Sequence, residues 1–149
     1  MCQGLNVIIL DDDPHACETV AEIINRFYVW GDVIPFTDAG EAVQYCRGQE
    51  TGMAIFVVDV FLEHETAFTF LDSISDKFLT AYEDAIVITG NASDDVVNIC
   101  VASDITYLLE KPVKPYALQL AVTALVSKYI GFAQRFTAHP ALNEGLWPL

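Results

Sequence analysis

The chain alternates between short, wholly apolar runs and longer segments whose apolar residues recur at helical spacing. An apolar run of four or five residues, bounded by polar or turn residues, is typical of a strand buried on both faces of a parallel sheet. The predicted strands are 7–10, 33–36, 54–58, 85–88 and 105–109. The first predicted helix begins after an Asp13 cap, with Pro14 in its first turn, and the fourth begins after a Ser93 cap. The other predicted helices are 39–47, about 67–77 and about 115–130.

Five strands that alternate with helices predict an α/β fold: a doubly wound, five-stranded parallel sheet with helices on both faces and right-handed crossovers. Pro35 favours an edge position for the second strand, because proline has no N–H to donate to a neighbour. Ligands of such sheets bind at the carboxyl ends of the strands. Residues that follow the strands are therefore the candidates for chemistry.

Polar side chains follow four of the five predicted strands. Asp11 and Asp12 follow the first, Asp59 the third, Thr89 the fourth, and Lys111 comes shortly after the fifth. Because the carboxyl ends of parallel strands share one edge of the sheet, we expect these five residues to meet there. A purely structural role for the acids, as caps or solvated loop residues, does not account for this placement.

Carboxylates gathered in one crevice need a cation. Two of them about 4 Å apart repel by roughly 4 kcal/mol at an effective dielectric constant near 20. Mg²⁺ is the preferred candidate, since it favours one or two carboxylates together with phosphate oxygens and water. Phosphoryl transfer uses such a set, with Asp59 as nucleophile, Asp11 and Asp12 holding the metal, and Lys111 binding phosphoryl oxygens. The Thr89 hydroxyl and the backbone N–H of Gly90 add two further donors to those oxygens.

Composition narrows the range of functions. The 149 residues suit one domain, and the net charge of −14 with only 7 Lys and Arg argues against direct nucleic-acid binding. No apolar run is long enough to span a bilayer, and no secretory signal is evident, so a cytoplasmic protein is expected. The four cysteines are scattered and indicate reduced thiols in or near the core.

These residues resemble those of the response-regulator receiver domain of two-component signalling, the CheY-like family. The matching pieces, over about 6–130, are Ile8-Ile9-Leu10-Asp11-Asp12-Asp13-Pro14, Val57-Val58-Asp59, Ile88-Thr89-Gly90 and Lys111-Pro112. The resemblance implies a flavodoxin-like strand order 2-1-3-4-5, a phosphoryl donor on a sensor histidine kinase or phosphotransfer protein, and a downstream protein target. It also implies a metal ligand from the backbone carbonyl of Phe61. It implies a signalling phosphoacceptor that assists its own phosphorylation and dephosphorylation, rather than a conventional enzyme.

The chain departs from the family pattern at several positions. Glu63 and His64 stand where the family usually has Pro and often Gly, which predicts an altered loop after the third strand. Leu108 occupies the usual position of an aromatic switch residue, and alternation along the strand predicts that Tyr107 faces the other side of the sheet. Phe61 and Asn91 occupy positions that tune the phosphoryl lifetime in the family.

The last predicted helix is apolar on more than one face, which indicates a partner surface. A homodimer through the fourth helix, fifth strand and fifth helix, and docking of the C-terminal tail on that face, are both open at this stage. The expected division is a receiver domain over 1–130 and a tail over 131–149, which is too short for an output domain.

Two other functions remain as alternatives. The first is a phosphohydrolase of the haloacid dehalogenase type, in which the first Asp after the first strand would be the nucleophile. The second is a receiver-like module that is never phosphorylated and acts only as a binding surface. The identity of the residue that carries phosphate distinguishes the phosphohydrolase from a receiver domain. A response to Mg²⁺ with beryllofluoride distinguishes a receiver that is phosphorylated from one that is not.

Overall fold

The structure is a computed structural model that describes residues 4–138, with side chains described as far as residue 131. Strands and helices alternate throughout. They are β1 Val7–Leu10, α1 Pro14–Asn25, β2 Val33–Phe36, α2 Ala39–Arg47, β3 Ile55–Asp59, α3 Ala67–Ile74, β4 Ala85–Thr89, α4 Asp94–Ala102, β5 Tyr107–Glu110 and α5 Pro115–Ala138.

The five strands form one parallel sheet in the order β2-β1-β3-β4-β5, as predicted. The strand that contains Pro35 lies at an edge, where the missing N–H costs no ladder bond on its open side. β1, β3 and β4 occupy the centre and are buried along their whole length. Their apolar character follows from that position, because helices cover both faces of the sheet.

The core has two halves, one on each face of the sheet. Side chains of α2, α3 and α4 pack on one face, around Phe56 and Phe70, whose ring centroids are 6.1 Å apart. Side chains of α1 and α5, among them Ile24 and Leu118, cover the other face. The two halves hold the central strands rigidly and so fix the positions of the residues that follow them.

Capping residues start three of the helices close to the carboxyl edge of the sheet. Asp13 accepts a hydrogen bond from the His15 N–H at 3.0 Å, and Asp38 accepts one from the Glu41 N–H at 2.9 Å. Ser93 caps α4 as predicted and accepts from the Val96 N–H at 3.4 Å. Each helix therefore begins within a few residues of the strand before it.

β3 and β4 end one residue later than predicted, and β5 and α3 differ by two or three residues at one end. β5 begins at Tyr107 rather than Ile105, because Ile105 belongs to the C-terminal cap of α4: its N–H donates to the Cys100 carbonyl at 2.9 Å. The Asp104 N–H donates to the Val101 carbonyl, so the two bonds together form a Schellman motif. α3 ends at Ile74, and Lys77 lies in the following turn, where its ammonium donates to the Arg47 carbonyl at 3.0 Å.

Helix α5 is longer than predicted. The predicted range is about 115–130, but the helix continues through Gly131 to Ala138. Glycine inside a helix costs only about 1 kcal/mol, and the residues after it include good helix formers. Residues 139–149, which carry most of the predicted tail and its proposed docking, lie outside the described part. None of the helices within 4–138 is both long and apolar enough to cross a bilayer.

A buried carboxylate ties α5 to the amino edge of the sheet. Asp84 immediately precedes β4 and is only 1% exposed. The Lys128 ammonium lies 2.5 Å from its Oδ1, and the Thr80 and Tyr129 hydroxyls both donate to its Oδ2. The sequence did not predict this cluster, because its members come from two segments more than 40 residues apart, the connection before β4 and helix α5.

Replacing Asp104 with glycine is expected to stabilise the fold. Asp104 has φ 63°, in the left-handed region where glycine has no steric penalty. We expect Asp104→Gly to raise the free energy of unfolding by about 0.5–1 kcal/mol, measured as a higher urea midpoint at unchanged slope. Ser103→Gly is the matched control: Ser103 has φ −95°, so glycine there relieves nothing and lowers the midpoint. A lower midpoint for Asp104→Gly would contradict the prediction.

Candidate functional site

Three aspartates meet at the carboxyl edge of the sheet. Leu10 and Val58 are register partners in adjacent strands, so the residues that follow them, Asp11 and Asp59, come side by side. Asp12 joins them, and each of the three offers a carboxylate oxygen that lies within 4.8 Å of the other two. Asp11 and Asp59 are buried, at 4% and 8% exposure, whereas Asp12 is more open to solvent.

The carboxylate of Asp11 is held in position by the backbone around it. Its Oδ1 accepts the Asp13 N–H at 3.0 Å, and its own N–H donates to the Phe36 carbonyl of β2 at 3.1 Å. This local turn explains why an acid directly after β1 points to the pocket rather than to solvent. Asp favours such a turn, because its side chain can accept a hydrogen bond from the backbone N–H two residues later.

Lys111 bridges the two buried acids. Its ammonium lies 3.1 Å from Asp59 Oδ2 and 3.3 Å from Asp11 Oδ2. The backbone N–H of Lys111 donates to the Thr89 carbonyl at 2.8 Å, which attaches the residue to the end of β4. The peptide bond between Lys111 and Pro112 is cis. The predicted meeting of Lys111 with the acids is therefore present in the structure.

The pKa values of the pocket reflect burial and mutual charge. Burial raises the pKa of Asp11 above its usual 3.8 and the charge of Asp59 raises it further, while the Asp13 N–H and Lys111 act in the other direction without cancelling the rise. Burial alone would lower the pKa of Lys111. The hydrogen bond to Asp59 and the charges of both acids outweigh burial and raise it. Lys111 is thus a permanent cation, and the buried Asp11 resists ionisation.

Thr89 ends β4 at the same edge and is completely buried. Its hydroxyl bonds to the backbone two residues later: Oγ1 accepts the Asn91 N–H at 3.1 Å and donates to the Asn91 carbonyl at 3.0 Å. Gly90 lies between them, and a Cβ there would meet nothing within 4 Å. Asn91 is exposed. Thr89 lies at the predicted edge of the sheet. Its hydrogen bonds to the Asn91 backbone were not predicted, although a Thr hydroxyl often bonds to the backbone two residues later.

The backbone around Phe61 leaves that residue's carbonyl available. Phe61 and Thr66 form an isolated antiparallel bridge, whose hydrogen bonds run from Ala67 N–H to the Val60 carbonyl and from Leu62 N–H to the Glu65 carbonyl, both at 2.9 Å. Since the residues that flank Phe61 make these bonds, its own carbonyl takes no part in them. The Phe61 side chain is 59% exposed.

The loop after β3 is a hydrogen-bonded turn despite the absence of the family's proline. The Leu62–Glu65 bond closes it at its tip. Glu63 and His64 occupy that tip, and both side chains are exposed. Glu63 Oε1 and His64 Nε2 are 3.8 Å apart. Two backbone hydrogen bonds thus close this loop, which the presence of Glu63 and His64 in place of Pro and Gly did not predict.

Leu108, at the usual position of the aromatic switch residue, and its neighbour Tyr107 face opposite sides of the sheet, as alternation predicts. Leu108 packs against the core half that contains α4, and Tyr107 packs against the half that contains α1 and α5. An aliphatic side chain therefore occupies the interior position next to α4. Both residues are partly buried.

The donor set fits a hard divalent cation. Three carboxylates supply anionic oxygen ligands within 4.8 Å of one another, and a single ammonium, that of Lys111, lies beside two of them. Mg²⁺ prefers oxygen ligands and readily keeps several waters. Asp11, Asp12 and Asp59, together with the Phe61 carbonyl, are the residues that would hold it.

A doubly wound parallel sheet in this order, with two acids after β1, one at the end of β3 and a lysine after β5, defines a CheY-like receiver fold. The chain belongs to the response regulator receiver domain family, whose sequence profile matches residues 7–123. No curated protein matches the chain in a sequence comparison. The predicted family membership and fold are thus confirmed.

Solved structures with the same fold are receiver domains of low sequence identity. One from Clostridium thermocellum has a TM-score of 0.73 at 14% identity, covering 86% of this chain and 98% of that one. A CheY-like one from Methanospirillum hungatei has a TM-score of 0.69 at 17% identity, covering 85% and 96%. The beryllofluoride-activated NtrC4 receiver domain dimer has a TM-score of 0.69 at 21% identity, covering 83% and 98%.

Replacing Asp11 with asparagine is expected to stabilise the metal-free protein at pH 7. Because folding raises the pKa of Asp11, the folded state prefers its protonated form, and stability falls as the pH rises from the unfolded pKa through the folded one. Asp11→Asn removes that loss, so its urea midpoint should exceed that of the wild type at pH 7, with the gap closing towards pH 4.

The control for this experiment is Asp95→Asn, which changes an exposed acid in the first turn of α4. We expect no such pH-dependent gain for it. Adding Mg²⁺ should stabilise the wild type more than Asp11→Asn. A variant less stable than the wild type at pH 7 without metal would contradict the predicted charge balance.

Proposed function

We propose that Asp59 accepts a phosphoryl group from a phosphohistidine of a sensor histidine kinase or phosphotransfer protein. The observation that carries the proposal is the position of the Asp59 carboxylate: buried at the end of β3, beside two other acids, and 3.1 Å from the Lys111 ammonium. A carboxylate oxygen of Asp59 attacks phosphorus as the bond from phosphorus to the histidine nitrogen breaks. The histidine keeps the electron pair, and an acyl phosphate results.

The other residues bind and neutralise the transferred group. Lys111 supplies a fixed cation that leaves its ion pair with Asp59 for a phosphoryl oxygen. The Thr89 hydroxyl and the Gly90 N–H, at the end of β4, donate to other phosphoryl oxygens. Asp11, Asp12 and Asp59, with the Phe61 carbonyl, would hold Mg²⁺, which would neutralise charge on the phosphoryl oxygens. Hydrolysis of the acyl phosphate by water ends the signal, and Phe61 and Asn91 tune the rate of that step.

The phosphoryl group acts by shifting a conformational equilibrium. It draws Thr89 and Lys111 inward and so favours one arrangement of the surface formed by α4, β5 and α5. Leu108 and Tyr107 lie on that strand, and the interior position next to α4 holds Leu108. The readout at this position is therefore a repacking of an aliphatic side chain rather than the rotation of an aromatic ring.

The partners and setting follow from this role. The domain acts in the cytoplasm, receives its phosphoryl group from a kinase or phosphotransfer protein, and passes the signal to a downstream protein. A receiver unit over 1–130 is followed by a segment, 131–149, whose first turns continue α5. Exposed apolar side chains on α4 and α5 support a homodimer through the α4, β5 and α5 surface. These side chains are Val97, Val101, Tyr116 and Leu120.

The phosphoacceptor is tested by chemical phosphorylation. Acetyl phosphate with Mg²⁺, followed by mass mapping of the trapped acyl phosphate, should label Asp59. Asp59→Asn should abolish the label, because the amide is not a nucleophile, while circular dichroism stays unchanged. Asp95→Asn, which alters an acid remote from the pocket, should label as the wild type does. A label on Asp11 would favour the phosphohydrolase alternative.

The homodimer is tested by the oligomeric state in the presence of Mg²⁺ and beryllofluoride. We expect sedimentation velocity to show dimer formation by the wild type and its loss in Leu120→Glu, since a carboxylate cannot be buried in an apolar interface without a partner. Leu79→Glu is the matched control, because Leu79 is 80% exposed and belongs to the turn after α3 rather than to α4, β5 or α5. Equal dimerisation of both variants would place the interface elsewhere.

A further inference from the structure

Three large apolar side chains are exposed at the amino edge of the sheet, opposite the edge that carries the acidic pocket. Met53, two residues before β3, is 54% exposed, and Leu79, in the connection that leads to β4, is 80% exposed. Ile130 of α5 is 40% exposed. Exposed apolar side chains that lie together, rather than singly, indicate a surface that another segment or molecule covers.

A close backbone contact brings Met53 and Leu79 near each other. Gly52 lies so close to Lys77 that a Cβ on the glycine would come within 2.4 Å of the Lys77 carbonyl oxygen. Met53 directly follows Gly52, and Leu79 comes two residues after Lys77. Both apolar side chains therefore belong to the same part of the amino edge.

A second contact brings Ile130 to the same place. Ile130 directly follows Tyr129, whose hydroxyl lies 3.5 Å from the Thr80 hydroxyl. Thr80 in turn directly follows Leu79. Met53, Leu79 and Ile130 thus form one region, which we call the amino-edge surface.

Helix α5 carries the chain past this surface. It begins at Pro115 after β5, and Tyr129 donates to Asp84, which precedes β4 at the amino edge. The helix continues to Ala138, about 14 Å farther along its axis at 1.5 Å per residue. The chain that follows Ala138 therefore starts on the side of the amino-edge surface and not on the side of the acidic pocket.

The sequence of residues 139–149, which we call the terminal segment, suits an apolar surface. It has one acid and no Lys or Arg, in a chain whose net charge is −14. Pro140 disfavours continuation of the helix, and Gly145 permits a turn. Its 11 residues can span roughly 36 Å, more than the distance back along α5 to Tyr129. Its large apolar residues are Leu142, Leu146, Trp147 and Leu149.

We propose that the terminal segment folds back and docks on the amino-edge surface of its own chain. The inference goes beyond the proposed function and does not depend on it. Attachment to α5 favours this occupant, because a short tether holds the segment at an effective concentration of the order of millimolar. Docking there leaves Tyr116 and Leu120 free for the proposed homodimer.

Tryptophan fluorescence of the full chain tests the docking. The chain has two tryptophans, so Trp30→Phe leaves Trp147 as the only one. In that background we expect Trp147 to be protected from acrylamide. Leu79→Glu should raise quenching to the value of N-acetyltryptophanamide, because a carboxylate cannot be buried under an apolar segment without a partner. Leu120→Glu, the matched control on α5, should leave quenching unchanged.

Three results would overturn the proposal. One is quenching of Trp147 as strong as that of N-acetyltryptophanamide before any change at Leu79. Another is release by Leu120→Glu but not by Leu79→Glu, which would place the terminal segment on the surface formed by α4, β5 and α5. The third is protection that is lost on dilution, which would assign the segment to a second copy of the chain.

A second measurement keeps Trp30 in place, since that ring packs edge-on against Tyr28. Methyl-¹³C labelling of methionine gives a resonance for Met53, which lies in the amino-edge surface. Trp147→Ala should shift this resonance, because the ring current of the docked indole is lost. Tyr116→Ala, which removes an exposed ring elsewhere on α5, should not shift it. A Met53 resonance that is the same in the wild type and Trp147→Ala would contradict the docking.

Discussion

Repulsion between buried carboxylates at the carboxyl edge of the sheet is the constraint around which the rest of the site is arranged. Asp11 and Asp59 end adjacent central strands, so the strand register that builds the core also forces them together. Lys111 lies between them and offsets part of the repulsion, yet the pKa of Asp11 remains raised. Burial and the charge of Asp59 together favour the neutral form of Asp11, and a divalent cation bound beside it would favour the charged form.

A site of this kind needs a rigid support, which the two core halves provide. The acids follow strands that are buried along their whole length, and helices on both faces prevent those strands from separating to relieve the repulsion. The Thr89 hydroxyl is held differently, by two hydrogen bonds to the backbone of Asn91 in the loop after β4. The acids are thus positioned by the sheet, whereas the hydroxyl is positioned by its own loop.

Much of this arrangement could be predicted from the sequence, because the strands are short apolar runs and the reactive residues stand directly after them. Asp11, Asp12, Asp59 and Lys111 meet where periodicity and topology place them. The Thr89–Asn91 contact was missed because side-chain direction depends on loop conformation, not on strand position. The Asp84 cluster was missed because it unites residues far apart in the chain, and the extension of α5 was missed because Gly131 resembles a helix stop. Patterns in sequence predict elements and their order, whereas contacts between distant polar side chains depend on tertiary packing.

The position of Pro35 in the edge strand has a consequence for how the molecule associates with others. An open sheet edge is a template on which another chain can add a strand, and proteins guard such edges with proline or with short strands. β2 is four residues long and has one N–H fewer because of Pro35, while β5 at the opposite edge is equally short. Both ends of the sheet are thus poor templates for intermolecular β-pairing. The helical surfaces remain for association, and contacts there would form between side chains, which can be made and broken reversibly.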